Sequence, residues 1–281
     1  PLPANTHFVV SSVAAIDALA RHNPHAPFHV KVDTGLSRLG AAGAELQKIF
    51  AYLKERPDAP WTGLMTHFAN VEDVTDQSYA VEQLRRFEAA SRAAAEVSSS
   101  RKLLRHAAAS AAGLILPPAR LDLLRVGISL YGFWPSPETR LSALSQISPL
   151  PELRPVLSWR SQVVHTQPVQ AGSSIGYGCT YRAETDMRVA VVPVGYYEGY
   201  ERALSNRSYV LIRGRRARLL GRVSMNMIVA DVSHIPEAAV GDWATLIGRD
   251  GEEEVSADQL GDLTCTINSE VVTRIIANLP R

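Results

Sequence analysis

The chain has 281 residues, 46% of them hydrophobic and 20% charged, with a formal net charge of +1. This is an ordinary globular composition with no electrostatic footprint for nucleic acid or an acidic membrane. No apolar run approaches the roughly 18 residues that mark a membrane span, and no signal peptide is visible. Cys179 and Cys265 stand far apart with no metal or redox spacing, so the expectation is reduced structural thiols in a cytosolic protein and no metal site. The first residue is proline rather than methionine, which suggests a processed or partial product.

The first half alternates strands and helices. FVVSS (8–12) reads as a strand, and VAAIDALARH after it puts Val13, Ile16 and Leu19 on one helical face. PFHVKVDT (27–34) is the next strand, followed by a helix striped with Leu46, Ile49, Phe50 and Leu53. WTGLMTHFAN (61–70) is the third, and Thr75 or Asp76 caps a helix carrying Leu84, Phe87 and Ala94. KLLRHAAAS (102–110) and LDLLRVGISLYG (121–132) read as further strand ends. Repeated βα units predict a parallel sheet with helices outside. A complete (β/α)8 barrel takes about 250 residues, and about 140 hold four or five units, so the sheet is open or the barrel's first strands lie outside this chain.

The Pro- and Ser-rich stretch 133–155 is the boundary candidate, with an α/β domain over 1–140 and a mainly antiparallel β domain over 141–281. Asp250-Gly251 and Arg213-Gly214 mark turns in the second domain. A closing helix is predicted over 266–279, with Val271, Val272, Ile275, Ile276 and Leu279 inward.

In a parallel α/β barrel the site lies at the C-terminal ends of the strands. Arg38 follows strand 27–34, His67 ends strand 61–67, His106 and Ser110 end the next, and Arg125, Gly127 and Ile128 belong to the last. Two arginines, two histidines and a serine on one rim suit an anionic, aromatic or phosphorylated ligand. Gly127 and Ile128 offer backbone N–H groups and Ser110 a hydroxyl to phosphate oxygens. Each residue also has a plainer reading: a satisfied strand-end histidine, a salt-bridged arginine, a glycine marking close packing. Tyr177, between two glycines in GSSIGYGCTY, is either an acid/base or a turn tyrosine anchoring a hairpin.

The motifs VKVDTGLSRLG, LMTHFAN, RHAAASAA, LLRVGISLYG, GYGCTY, VPVGYYEGYER and GRVSMNM, in this order, resemble alanine racemases from about residue 28 to the C-terminus. The resemblance implies a partial (β/α)8 TIM barrel followed by the β domain, pyridoxal 5'-phosphate as cofactor, and a cytoplasmic homodimer with composite active sites. It implies racemisation of alanine through the cofactor aldimine by two-base proton transfer, supplying D-alanine for peptidoglycan. Carried over by motif, Arg125 faces the pyridine nitrogen, His67 hydrogen-bonds Arg125, and Ser110, Gly127 and Ile128 hold the phosphate, with His106 beside them in the cofactor site. Arg38 contacts the phenolic oxygen and the substrate carboxylate. Tyr177 comes from the partner subunit as the base on the L-alanine face, Met225 and Tyr196 line the substrate entrance, and Lys31 resembles a lysine that is carbamylated in many members.

The sequence departs from the family pattern at Asn226, at Tyr197-Glu198, at Ser269 where the family often has tyrosine, and at Ala109 before Ser110. The cofactor lysine motif is absent: the lysines are Lys31, Lys48, Lys54 and Lys102. The expectation is a chain beginning near the fourth barrel strand and inactive by the two-base mechanism on its own. The alternatives are a broad-specificity or serine racemase of the same fold, or a non-catalytic cofactor-binding domain.

Overall fold

A computed structural model describes residues 3, 5–98 and 101–280. The terminal residues Pro1 and Arg281, the outer limits of the two expected domains, lie outside that set. Two compact units emerge. The first runs to Leu130 and takes in Trp134–Leu153; the second comprises Tyr131–Phe133 and the chain from Arg154 on. The break therefore falls inside the 133–155 stretch but after Leu153 rather than after 140.

The first unit is built on four parallel strands in the order β1 (Phe8–Val10), β2 (Phe28–Lys31), β3 (Trp61–Met65), β4 (Leu104–His106). Helices α1 (Val13–His22), α2 (Gly43–Lys54) and α3 (Ser78–Val97) join successive strands. All four residues of β2 are buried. Alternation sends Phe28 and Val30 to one face and His29 and Lys31 to the other. Phe28 and Val30 join Ile49, Leu64 and Phe87 in the core. A register shift between Phe28 and His29 pairs Phe28 with Trp61 but His29 with Gly63, so Gly63 shares a face with His29 and Lys31.

Helix α3 buries Leu84, Phe87 and Ala94 as expected. Its N-cap is Gln77, with no side-chain cap; Asp76, one residue earlier, accepts from Ser78 N at 2.9 Å. Ser110 does not end a strand but opens α4 (Ser110–Ile115), and α5 (Pro137–Gln146) follows. The predicted strand end at 121–132 is not a strand. Leu121 is left-handed at φ 48°, and Ile128–Tyr131 form a 3-10 turn. Among the described residues, this segment's backbone–backbone bonds to 105–108 are Asp122 N to Arg105 O and Arg125 N to Ala108 O. The N–H groups of Gly127 and Ser129 go instead to the Ser110 hydroxyl.

The second unit holds β5 (Trp159–Gln162), β6 (His165–Val169), β7 (Ser174–Ile175), β8 (Tyr181–Arg182), β9 (Met187–Val192), β10 (Tyr209–Ile212), β11 (Arg215–Arg218), β12 (Ile228–Asp231), β13 (Trp243–Asp250) and β14 (Glu253–Val255). All its ladders are antiparallel. Arg213 and Gly214, both at positive φ, form the two-residue turn between β10 and β11. Helix α6 (Ala257–Thr264) starts at a Ser256/Gln259 capping box.

Helix α7 (Asn268–Arg274) is shorter than predicted: Ile275 is extended, and Ile276 N bonds Glu198 O. Of its expected inward residues Val271 is buried, while Ile275, Ile276 and Leu279 lie past its end. Both cysteines are free thiols rather than a disulfide, in line with the expectation, and both are exposed.

Candidate active site

The strand mouths of the first unit gather most of the predicted residues. After β2, the Asp33 carboxylate accepts from the N–H groups of Gly35, Leu36 and Ser37 at 2.9, 3.0 and 3.1 Å. These bonds, with Lys31, outweigh desolvation and hold its pKa below the ordinary carboxylate value. The loop so fixed carries Arg38, whose side chain is exposed.

Arg125 is the hub. Its Nη1 donates to His106 Nδ1 at 2.7 Å, and its Nη2 donates to Ala107 O, Thr66 O and His67 Nδ1 at 2.8, 2.9 and 3.1 Å. A guanidinium has five N–H donors in a planar fork. Nε–H and the second Nη1–H have no acceptor among the described residues, so the cation keeps donors for a ligand. Because Arg125 only donates, both histidines present an unprotonated Nδ1 to it. Burial, then the positive charge of Arg125, pushes each histidine down to about 4.

Those shifts set a pH dependence. Unfolded, His67 and His106 bind protons near 6.5, but folded only near 4. The unfolded state therefore holds more protons in that window, and stability falls as pH drops from about 6.5 to about 4. The expected loss is roughly 3 kcal/mol per histidine at most, read from urea unfolding at stepped pH. A flat profile over that window would contradict the buried neutral state.

Lys31 is 7% exposed on the same face of β2 as His29. Among the described residues its ammonium has no hydrogen bond or ion pair. Desolvation, then Arg38 and Arg125, lowers its pKa, with Asp33 opposing. Lys48 and Lys54 lie on α2 and Lys102 is exposed ahead of β4, so none of these three joins the cluster.

Ser110 accepts from Gly127 N at 3.0 Å and Ser129 N at 3.4 Å. A Cβ on Gly127 would meet nothing within 4 Å, so close packing does not explain this glycine. The buried Ser129 Oγ has no hydrogen-bond partner. Open space, a hydroxyl, an orphaned buried oxygen and the start of a 3-10 turn at Ile128 fit a phosphate group.

Two contributors escape sequence reasoning. Gln83 is fully buried on α3; its Oε1 accepts from Ala69 N at 2.8 Å, and its Nε2 donates to Thr34 Oγ1 at 3.2 Å and His67 O at 3.4 Å. Thr34 and Thr66 bond each other at 2.8 Å. This network ties together the mouths of β2 and β3. Gln83→Leu is expected to destabilise the protein by about 3 kcal/mol, because it leaves Ala69 N and His67 O without their Gln83 partner and strips one bond from Thr34. Equilibrium unfolding checks this, and a loss below about 1 kcal/mol would reduce Gln83 to packing. The second contributor is His29, in bonding distance of His106. The sequence signal for Gln83 is a polar residue on the apolar face of α3, and that for His29 is a polar residue sharing its face of β2 with Lys31.

In the second unit, Gly176 and Gly178 at positive φ flank Tyr177. Tyr177 is 73% exposed, and its hydroxyl has no partner among the described residues. It therefore anchors no hairpin. The Arg222 guanidinium lies against Gly178, where a Cβ would come within 3.3 Å of its Cζ. Tyr196 N and Tyr197 N bond Ser224 O and Met225 O, which brings exposed Tyr196 and Met225 onto neighbouring loops. Glu198 turns inward and accepts from Gly195 N at 2.8 Å. Ser269 donates to Asn268 Oδ1.

The family described as "Alanine racemase, N-terminal domain" matches residues 2–135, and "Alanine racemase, C-terminal domain" matches 156–281. The alanine racemase of Leptospira interrogans (strain Fiocruz L1-130) is 44% identical over 277 residues, covering 99% of this chain and 71% of that protein. That of Syntrophobacter fumaroxidans is 42% identical, covering 91% of this chain and 65% of that protein. Among solved structures, alanine racemase from Streptomyces coelicolor A3(2) superposes with TM-score 0.89 at 30% identity, over 99% of this chain and 72% of that one. The Bacillus anthracis enzyme with bound L-Ala-P gives 0.84 at 31% identity, over 96% and 68%. Both halves of the chain carry the matching domains, and so the chain belongs to the alanine racemase family.

Proposed function

We propose that the protein to which this chain belongs interconverts L- and D-alanine as a pyridoxal-phosphate-dependent racemase. Family membership supports the activity and the cofactor. The single observation that carries the reading is the Arg125 fork, locked by two neutral histidines and two carbonyls with N–H donors left over. Bound cofactor supplies the electron sink that lets the Cα–H bond of alanine ionise. Arg125 offers the ring nitrogen a hydrogen bond but no proton, since a guanidinium does not titrate in this range. Ser110, Gly127 and Ile128 hold the phosphate. Arg38, at the β2 mouth, takes the substrate carboxylate. Tyr177 moves the proton on the L-alanine face, and its exposure suits delivery to a partner subunit's site within a homodimer. Met225 and Tyr196 line the entrance. Cytoplasmic production of D-alanine for peptidoglycan completes this reading.

The lysine that would serve the D-alanine face is not among these residues. The chain alone is expected to give no racemisation with added cofactor, and a coupled D-alanine assay checks this; full activity would overturn the two-base reading. A serine or basic-residue preference gains nothing from Glu198, whose carboxylate already serves Gly195. Comparable kcat/KM for serine and alanine would reverse that view.

Lys31 is proposed to carry a carbamate. Its lowered pKa raises the fraction of neutral amine that attacks carbon dioxide; an N–C bond forms and the amine proton leaves to water. The product carboxylate would replace an unpaired cation near Arg38 and Arg125. A mass increment of one carbon dioxide on Lys31 in bicarbonate is expected. Lys31→Ala should lose at least about tenfold in activity, with partial recovery on adding a small carboxylate.

A further inference from the structure

Arg125, His106, His29 and His7 form a continuous line of hydrogen bonds. Arg125 Nη1 meets His106 Nδ1 at 2.7 Å, His106 Nε2 meets His29 Nδ1 at 2.8 Å, and His29 Nε2 meets His7 Nδ1 at 2.9 Å. The direction of every proton follows from one end. The guanidinium can only donate, so His106 Nδ1 is an acceptor and its proton sits on Nε2. That Nε2–H donates to His29 Nδ1, which places the His29 proton on Nε2, facing His7.

His29 and His106 do not belong to adjacent strands. His29 is on β2 and His106 on β4, with β3 between them. His29 is in register with Gly63 on β3. A Cβ at Gly63 would stand 2.1 Å from His29 Nδ1 and 2.7 Å from Leu104 O. The backbone at Gly63 is not left-handed, so the absent side chain is required for space rather than conformation. Gly63 is thus the gap through which one imidazole crosses a strand to reach the other. Both rings are buried, at 6% and 5% exposure, where an unmade hydrogen bond is costly.

We propose that His29 is a positioning residue for Arg125: through the gap at Gly63 it accepts the His106 Nε2–H and so holds His106 as the acceptor that orients the guanidinium. The burial of both rings and the downward pKa shifts of His29 and His106 agree with a neutral chain. The proposal rests on the reading that Arg125 faces the cofactor, and its test separates the two.

Two-bond 1H–15N correlation spectra of the histidine-labelled full-length protein, with and without pyridoxal phosphate, read the tautomers directly. His29 and His106 are expected as single Nε2–H tautomers in both states. His29→Leu removes the acceptor; His106 should then populate a second tautomer, and kcat should fall roughly tenfold with KM within about twofold. His29→Asn puts Oδ1 where Nδ1 stood and is expected to restore the His106 tautomer and most of kcat. Gly63→Ala should reproduce the His29→Leu signature from the strand side. An Nδ1–H tautomer on His106 in the unsubstituted protein overturns the proposal without any variant. So does a His29→Leu enzyme with unchanged kcat, or a His29→Asn enzyme no better than the leucine one. If Arg125→Lys leaves kcat unchanged while the tautomers stand as expected, the placement of Arg125 at the cofactor has failed instead.

Discussion

Replacing Tyr177 by phenylalanine in the full-length enzyme is expected to lower the rate of L-alanine racemisation by about 10²–10⁴-fold. The ring remains, the turn remains, and only the hydroxyl proposed to carry the proton goes. Gly176 and Gly178 set the backbone, so the substitution strains nothing, and a side chain that is 73% exposed makes little packing contribution. Thermal stability should therefore be unchanged. The loss is also expected to be lopsided. On the two-base reading, the mutant in D2O should still exchange the α-proton of D-alanine through the other base, while L-alanine exchange collapses. Equal loss from both faces would mean that Tyr177 positions rather than transfers, and retention of full activity would remove it from the mechanism.

Arg125→Lys is the second large effect, expected to lower kcat by about 10²–10³-fold and stability by about 3 kcal/mol together. Charge is conserved, so an electrostatic account alone predicts little. Geometry predicts much more. The fork reaches His106, His67, Thr66 O and Ala107 O at once. An ammonium is a point donor on a shorter reach and satisfies at most part of that set. The abandoned acceptors are largely buried, which is where the stability goes. Steady-state kinetics beside urea unfolding tests both halves. A mutant with normal stability and depressed kcat would show that the carbonyl contacts are incidental; one with normal kcat would displace Arg125 from the reacting centre.

Much of this site was legible in the sequence because strand ends and family motifs coincide. His67, His106, Ser110 and Arg125 were placed on one rim, and the structure brings them within hydrogen-bonding range of one another or of the same loop. The missed features depend on distances across the sheet that no local pattern encodes. Gln83 sits in an amphipathic helix where a glutamine reads as surface, and only the approach of α3 to two strand mouths buries it. His29 is one strand away from its significance, and the register shift that sets it opposite Gly63 leaves no trace in hydropathy. The 121–132 segment is apolar enough to read as a strand, yet the Gly127 and Ser129 amides are both claimed by a single serine hydroxyl. The last helix stops at Arg274 because the next residues bond Glu198, a tertiary event that periodicity does not see.

The Asp33 loop has a thermodynamic corollary. Three amides on one carboxylate fix residues 35–37 before any ligand arrives. Ordering a free residue costs about 1–2 kcal/mol in conformational entropy, so a slack loop of this length would lose several kcal/mol on closing over a carboxylate. Here that entropy is already gone in the folded protein. If Arg38 takes the substrate carboxylate as proposed, capture draws only on that side chain's own rotamers, and the calorimetric signature should be enthalpic with a small entropic term. The cost reappears on the folding side, as one anion whose removal would loosen the substrate's grip without touching the substrate.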